Sequence, residues 1–318
     1  MTEILILTAP DEKDLPGLDK LPESVTVTHV RDEASLRDGL TRAQVLVVTD
    51  FRSDMLAECW PEQPSVRWVH ATSAGVDALM FPALAESDIP VTNARGVFNR
   101  GIAEYVLGAI LMFAKDTLGN LHYQKQHRWQ HRETRLIRGQ QALIVGAGSI
   151  GTTVGQLLSA AGLEVIGTAR TAREIEGFAA VHAQEDMAQL LPHADYVVIT
   201  APLTPDTEGL FDRDNFAAMK PSAHLINVGR GPIVKTGALL EALDKGELAG
   251  AALDVFEEEP LAEDHPLWDR PNVMISAHMA GDFIGWRRAL GEQFVDNFLR
   301  WQAGDSLQNE VDKARVGR

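Results

Sequence analysis

Residues 142–161 set the tightest limit on what this chain can fold into. The apolar run Ala142–Val145 passes straight into Gly146-Ala147-Gly148-Ser149-Ile150-Gly151, after which Val154, Leu157, Leu158 and Ala161 recur at helical spacing up to Gly162. A bare G-x-G-x-x-G is a weak signal. Set between a buried strand and a helix, in a unit of about thirty residues, it marks a dinucleotide-binding turn. Gly146 permits the tight turn, Gly148 lets backbone approach a pyrophosphate, and Gly151 allows close helix–strand packing. Ser149 and Ile150 join them as expected contacts, because the anion meets the helix N-terminus, where N–H groups and the dipole favour it.

The next strand, Leu163 to Arg170, ends where an adenosine ribose is read. An NAD site places an acidic residue there for the 2′-OH, and an NADP site offers an Arg instead. Here Ala169 takes the acidic position, Arg170 follows and Arg173 is near. No carboxylate repels a 2′-phosphate, and a guanidinium can hold it bidentately. NADP is therefore expected over NAD, with Arg170 and Arg173 as contacts. The other reading leaves Arg170 a surface arginine and NAD bound without its usual partner.

Short apolar strands alternate with helical patterns on either side of this turn. Ile4–Leu7, Val25–Val30, Val45–Thr49, Val66–His70 and Val91–Thr92 form a first series. Ala142–Val145, Glu164–Gly167, Tyr196–Thr200, His224–Asn227, Ala251–Val255 and Val273–Ser276 form a second. Alternation of this kind means α/β architecture, parallel sheets with helices on both faces, and 318 residues suffice for about two such domains. A long helix through Ile102, Val106 and Ile110 lies between the series, with Asn99 as its expected cap. A last helix steps through Trp286, Leu290, Phe294, Phe298 and Trp301, with Gly304 past its end. By pattern that tail belongs to neither series.

Composition excludes more than it assigns. With 45% apolar and 23% charged residues the chain is of ordinary globular kind rather than disordered. Its 29 Lys and Arg against 45 Asp and Glu, net −16, argue against a nucleic-acid partner. The charge is uneven, however. His122 to Arg138 holds five Lys/Arg and three His against one Glu, and reads either as a solvated arm or as a wall attracting an anionic ligand. Cys59 is the only cysteine, so an intrachain disulfide and a Cys-cluster metal site are both ruled out, and no metal is expected. Glu3 stands where a signal peptide has a basic region. The most apolar stretch, Val106 to Ala114, is far short of the ~20 residues that cross a bilayer. A cytoplasmic location without a membrane partner is the expectation.

Ligands of open parallel sheets bind beyond the carboxyl ends of the strands. Three late strands deliver polar residues at that end: Asn227-Val228-Gly229-Arg230-Gly231, then Asp254 to Pro260 with Glu259, then Ala277-His278-Met279-Ala280-Gly281. An Arg, a Glu and a His on one edge suit hydride transfer at a carbonyl next to a carboxylate. Arg230 can fork onto the carboxylate and the carbonyl oxygen. The oxygen must gain a proton as hydride arrives, and His278, titrating near neutrality, is the natural donor. A buried carboxylate beside it, Glu259, favours the protonated ring and fixes its tautomer.

With these residues in view, the chain resembles the D-isomer-specific 2-hydroxyacid dehydrogenase family. The likeness is densest from Asn93 to Gly281, in TNARGVFNRGIAEYVLGAILMF, VGAGSIG, ADYVVITAPLTPDTEGLF, MKPSAHLINVGRGPIV, GAALDVFEEEPL and NVMISAHMAG. The resemblance implies that Arg230, Glu259 and His278 are catalytic and that Asp254 holds the nicotinamide carboxamide. It also implies that Thr200 and Pro202 touch the cofactor, and that Ala74 and Gly75 bind the substrate carboxylate together with Arg230 and His278. The motif reads SAHMAGD, where many relatives have a proline before the His.

The family arrangement implies two doubly wound parallel-sheet domains. A flavodoxin-like substrate domain, 1–97 plus 285–318, is built from both chain ends around an inserted Rossmann cofactor domain, 98–284, that pairs members into homodimers. The expected activity is NAD(P)H-dependent interconversion of a small 2-oxoacid and its D-2-hydroxy acid, of the glyoxylate or hydroxypyruvate reductase kind. Phosphoglycerate dehydrogenase without a regulatory domain and a non-catalytic NAD(P)-sensing binding protein are the alternatives. The side-chain pocket is expected near Phe51 and Arg52.

Overall fold

Alternate side chains of the first strand, β1 (Thr2–Leu7), enter two different hydrophobic layers, Leu5 and Leu7 in one, Ile4 and Ile6 in the other. A strand buried on both faces needs such a continuous apolar run. The computed structural model describes residues 2–49 and 53–315. The chain divides into one unit of Met1–Phe98 with Phe283–Arg318 and a second of Asn99–Asp282.

In the first unit β1 is followed by β2 (Val25–Val30), α1 (Glu33–Leu40), β3 (Val45–Val48) and α2 (Ser53–Cys59). Next come β4 (Trp68–Ala71), α3 (Pro82–Ala85) and β5 (Val91–Asn93). All five strands are parallel, in the order β2-β1-β3-β4-β5, the flavodoxin-like arrangement. α1 to α3 contribute Leu36, Leu40, Leu56, Cys59 and Leu84 to the layer around Leu5 and Leu7.

The second unit opens with α4 (Asn99–Ala114) and α5 (Thr117–Lys125), then β6 (Gln141–Val145), α6 (Ser149–Ala160) and β7 (Glu164–Ala169). β8 (Ala180–Ala183), α7 (Met187–Leu190), β9 (Tyr196–Ile199), α8 (Arg213–Ala218) and β10 (His224–Asn227) follow. α9 (Thr236–Lys245), β11 (Gly250–Leu253) and β12 (Val273–Ile275) complete it. The strands form a parallel sheet ordered β12-β11-β10-β9-β6-β7-β8. Strand order reverses between β6 and β9, and that is where such sheets take a dinucleotide. Register does the rest. Val145, Ile199, Asn227, Leu253 and Ile275 pair in one row across five strands, so Gly146, Thr200, Val228, Asp254 and Ser276 all leave the sheet on its carboxyl edge.

The chain then returns to the first unit in α10 (Trp286–Ala303). Leu290, Phe294, Val295 and Phe298 close the layer of Ile4, Ile6, Val45, Val47 and Trp68, and Gly304 ends the helix in the left-handed region at φ 77. The helix without a series of its own is thus the missing cover of the first sheet. Two local expectations fail. Asn99 begins α4 instead of preceding it, and its amide donates to Ser149 Oγ at 2.9 Å and Thr153 Oγ1 at 3.3 Å on α6. The sequence carries no sign of β8, because Ala180–Ala183 is four residues with a single buried position, Val181, too short for period-2 alternation to register.

Candidate active site at the carboxyl edge of the second sheet

The glycine loop is stitched to the point where strand order reverses. Gly146 has φ 101, and a Cβ there would stand 2.6 Å from Ala201 Cα; only glycine fits. Thr200 Oγ1 donates to the Gly146 carbonyl at 2.8 Å, tying β9 to the turn after β6. A Cβ on Gly151 would meet the same carbonyl oxygen at 2.2 Å. Gly148 differs. It is exposed, and a Cβ there would meet no protein atom within 4 Å. No side chain caps α6 at Gly148, so the first-turn N–H groups around Ser149 and Ile150 suit an anion. This bare, uncapped helix start fits the pyrophosphate of a dinucleotide. Pro202 is exposed next to it, its carbonyl accepting Thr207 Oγ1 at 2.7 Å.

β7 ends at Ala169, and Arg170 is exposed immediately beyond. Arg173 Nη2 donates to the Ala147 carbonyl at 2.5 Å, so this guanidinium is fastened to the glycine loop itself. The basic stretch behaves otherwise. Arg132 pairs with Asp116 and Asn120, and Arg128 and Arg132 lie over the Tyr123 ring at 5.2 and 5.1 Å. Its far end approaches Gly162, where Gly139 N–H bonds the Gly162 carbonyl, before β6 and β7 begin. That end lies at the amino edge, opposite Gly146. The stretch as a whole is an arm braced by α5.

The expected catalytic set gathers on the carboxyl edge. Oε2 of Glu259 lies 2.8 Å from Nδ1 of His278, and Glu259 Oε1 accepts the Phe256 N–H at 2.9 Å. The hydrogen bond to Glu259 holds the His278 ring above the usual histidine range; burial and the Arg230 charge oppose this without overcoming it. Burial pushes Glu259 up, but the His278 hydrogen bond, the Phe256 N–H and the charges of His278 and Arg230 outweigh it and leave the carboxyl below its ordinary value. Neither side chain is fully buried. The His278 side chain is 51% and the Glu259 side chain 34% exposed, because both sit on loops beyond the strands rather than in the sheet. Arg230 is held by Asn227, whose buried amide donates to the Arg230 carbonyl at 3.1 Å and accepts from Gly229 N–H at 3.1 Å. A Cβ on Gly231 would overlap the Phe256 backbone at 1.8 Å, so the loops bearing Arg230 and Glu259 touch. The sequence signal for Asn227 is its place one residue past a buried apolar run.

Asp254 is 2% exposed, and its own chain engages both carboxylate oxygens. Ser276 Oγ and Met279 N–H donate to Oδ1 at 2.5 and 2.9 Å, and Ala280 N–H to Oδ2 at 2.9 Å. The His278 N–H bonds the Asp254 carbonyl at 2.8 Å. Asp254 therefore organises the loop that carries His278, leaving one acceptor site on Oδ2 for any other partner.

In the first unit Ala74 and Gly75 follow β4. The Ser73 carbonyl accepts Ala94 N–H at 2.9 Å, and the Ala74 carbonyl accepts Asn93 Nδ2 at 2.6 Å. Since a trans peptide points its N–H opposite to its carbonyl, the N–H groups of Ala74 and Gly75 each face away from the anchor of their own peptide. Phe51 and Arg52 lie outside the described residues. Among the described residues no group of three His, Cys, Asp or Glu could hold a metal ion, and no helix is long and apolar enough to cross a membrane.

Residues 107–280 match the model of the D-isomer specific 2-hydroxyacid dehydrogenase NAD binding domain. Glyoxylate/hydroxypyruvate reductase B of Pectobacterium carotovorum is 34% identical over 92% of this chain and 93% of its own length. The NADPH-dependent glyoxylate/hydroxypyruvate reductase of Sinorhizobium meliloti, solved with NADP and sulfate, superposes with a TM-score of 0.88 at 28% identity, covering 100% of both chains. A D-isomer specific 2-hydroxyacid dehydrogenase of Xanthobacter autotrophicus, solved with NADPH and MES, gives 0.85 at 29% identity over 99% of this chain and 100% of that one. Fold, glycine loop and relatives agree: the chain belongs to the D-isomer specific 2-hydroxyacid dehydrogenase family and is an NAD(P)-dependent oxidoreductase.

Proposed function

We propose that the chain reduces small 2-oxoacids of the glyoxylate and hydroxypyruvate kind, with NADPH in preference to NADH, giving the D-2-hydroxy acid where the product is chiral. The observation that carries this reading is the His278–Glu259 pair at 2.8 Å, on the same sheet edge as Arg230 and the glycine loop. Arg230 forks onto the substrate carboxylate and carbonyl oxygen. His278 delivers a proton to that oxygen, and Glu259 keeps the ring charged for the purpose. When bound, the reduced nicotinamide supplies the hydride. The paired N–H groups of Ala74 and Gly75 are the proposed anchor for the carboxylate, making the first unit the substrate domain and the second the cofactor domain. Gly146, Gly148, Ser149, Ile150 and Gly151 take the pyrophosphate, Thr200 and Pro202 flank the cofactor, and Asp254 offers its spare Oδ2 acceptor site to the carboxamide.

Preference for NADPH is supported by Ala169 in place of an acidic residue, with Arg170 exposed after it and Arg173 fastened at Ala147. A homodimer through the second unit is supported by Trp129 and Leu136, 98% and 74% exposed on the braced arm; a monomeric mass by light scattering overturns it. A free, buried Cys59 suits a reducing, cytoplasmic setting. The deciding experiment follows absorbance at 340 nm with NADPH and a panel of 2-oxoacids. Turnover of glyoxylate and hydroxypyruvate is expected. Bound NADPH with no turnover on any of them removes the enzymatic reading in favour of a nucleotide sensor.

A further inference from the structure

We propose that Tyr105 is a positioning residue for the proton donor: through Ser276 and Asp254, its phenol hydroxyl holds the loop that carries His278. The inference rests on the reading of His278 given above.

His278 has φ 49, a left-handed conformation that is uncommon for a residue with a Cβ. Ala277 precedes it, so no proline ring restrains the approach. The restraint comes from Asp254, which takes the N–H groups of Met279 and Ala280 on its carboxylate and that of His278 on its carbonyl. Ser276 Oγ gives its single proton to Asp254 Oδ1 at 2.5 Å. In the 2.7 Å contact between Tyr105 and Ser276, Tyr105 must therefore be the donor. The result is a one-way chain, phenol to hydroxyl to carboxylate, in which each bond polarises the next. Burial, with the Asp254 charge adding to it, pushes the Tyr105 hydroxyl up to about 12, against the opposing Ser276 bond, so it keeps its proton. α4 reaches the loop a second time. Gly101, one turn before Tyr105 on the same face, lies where a Cβ would stand 2.7 Å from the Gly281 carbonyl oxygen. One helix face thus meets the loop at Ser276 and at Gly281, on either side of His278.

Tyr105→Phe removes one oxygen and nothing else. The expected result is a kcat for glyoxylate with NADPH lowered about 5- to 30-fold, with KM and the NADPH Kd within about twofold. Amide exchange at His278, Met279 and Ala280 should quicken about tenfold. The basic limb of the pH profile should move down, because a ring held less firmly at Glu259 loses part of what raises it, while Glu259, Arg230, Asp254 and Asp282, the charged groups around it, are all still present. Ser276→Ala should reproduce these changes, the double variant should add nothing to either single one, and Ser276→Thr, which keeps the hydroxyl, should restore them. A Tyr105→Phe enzyme that melts lower yet keeps the wild-type exchange rates and pH limb overturns the proposal. So do losses that multiply in the double variant. If the wild type reduces no 2-oxoacid, the reading of His278 falls by itself, and amide exchange still decides whether Tyr105 holds the loop.

Discussion

Nδ1 of His278 faces Oε2 of Glu259 across 2.8 Å, which leaves Nε2 as the ring atom free to address a substrate. An ionised carboxylate only accepts, so Nδ1 carries hydrogen in both charge states and the proton that comes and goes is the one on Nε2. On the proposed role, reduction needs the charged ring and oxidation the neutral one. Reductive kcat/KM should fall as pH rises through a His278 value above 6.5, the oxidative rate should rise through the same value, and Glu259→Gln should move both limbs down. Stability follows the same signs. The His278 contribution is full below its unfolded value and is lost as pH rises through the folded one. That of Glu259 is full above its unfolded value and is lost as pH falls through the lowered folded one. A pH profile unchanged by Glu259→Gln removes the pair from proton transfer.

Removing the donor and removing the carboxylate fork should look different. His278→Ala should lower kcat about 10²- to 10⁴-fold, the range of a general acid, while the NADPH Kd holds. Arg230→Ala should raise KM and lower kcat together, since in the proposed role the guanidinium grips ground and transition states alike. Steady-state kinetics with glyoxylate, beside titration calorimetry for the cofactor, separates the two. An unchanged kcat in His278→Ala removes it from the mechanism.

Arg170 provides the test of cofactor choice. A charged hydrogen bond contributes about 1.5–3 kcal/mol, so Arg170→Ala should weaken NADPH by roughly ten- to a hundredfold and leave NADH nearly untouched. Calorimetric titration of both cofactors checks it; tighter NADH than NADPH in the wild type would falsify the preference.

Both sheets were legible because parallel strands buried on both faces announce themselves as apolar runs, as Ile4–Leu7 and Ala142–Val145 do. The placement of Arg230 and His278 beyond the carboxyl ends of their strands was legible too, because each comes shortly after an apolar run. Three things were not. Tyr105 lies 171 positions from Ser276, and no local pattern encodes a contact of that separation. Asp254 reads as a ligand-facing carboxylate; that Ser276 and two loop N–H groups also occupy it could not be read locally, because those donors lie 22 to 26 positions away. The cover on the first sheet from α10 also waited for the structure, since an amphipathic stripe states that a helix is buried but not against what.

The touch between the Arg230 and Glu259 loops gives a fourth prediction. Gly231→Ala forces a Cβ into the Phe256 backbone, 1.8 Å away, and backbone has no rotamer by which to yield. The variant should lose about 1–3 kcal/mol of stability and a disproportionate share of kcat, because the loops it separates carry two members of the proposed catalytic set. Urea unfolding and kcat measured on one preparation test this; full kcat at reduced stability would show that the loops act independently.

Phe294 tests whether α10 completes the first sheet or merely rests on it. Its ring is fully buried, stacked on Trp68 at 5.4 Å and 23°, and tilted against His70 at 5.4 Å. Trp68 Nε1 and His70 Nδ1 meet the same hydroxyl, Thr92 Oγ1, at 2.9 and 2.8 Å, so the layer beneath Phe294 is fixed in place and cannot collapse into a hole. Where relaxation is blocked the cavity penalty adds to the lost transfer energy, and Phe294→Ala should cost about 3–5 kcal/mol. The loss should fall on the first unit alone. Amide exchange should rise in β1, β3 and β4 while β6 and β9 keep their wild-type protection. A loss below 1 kcal/mol on the same scale, or exchange rising equally in both sheets, would show that α10 is not the cover the first layer requires.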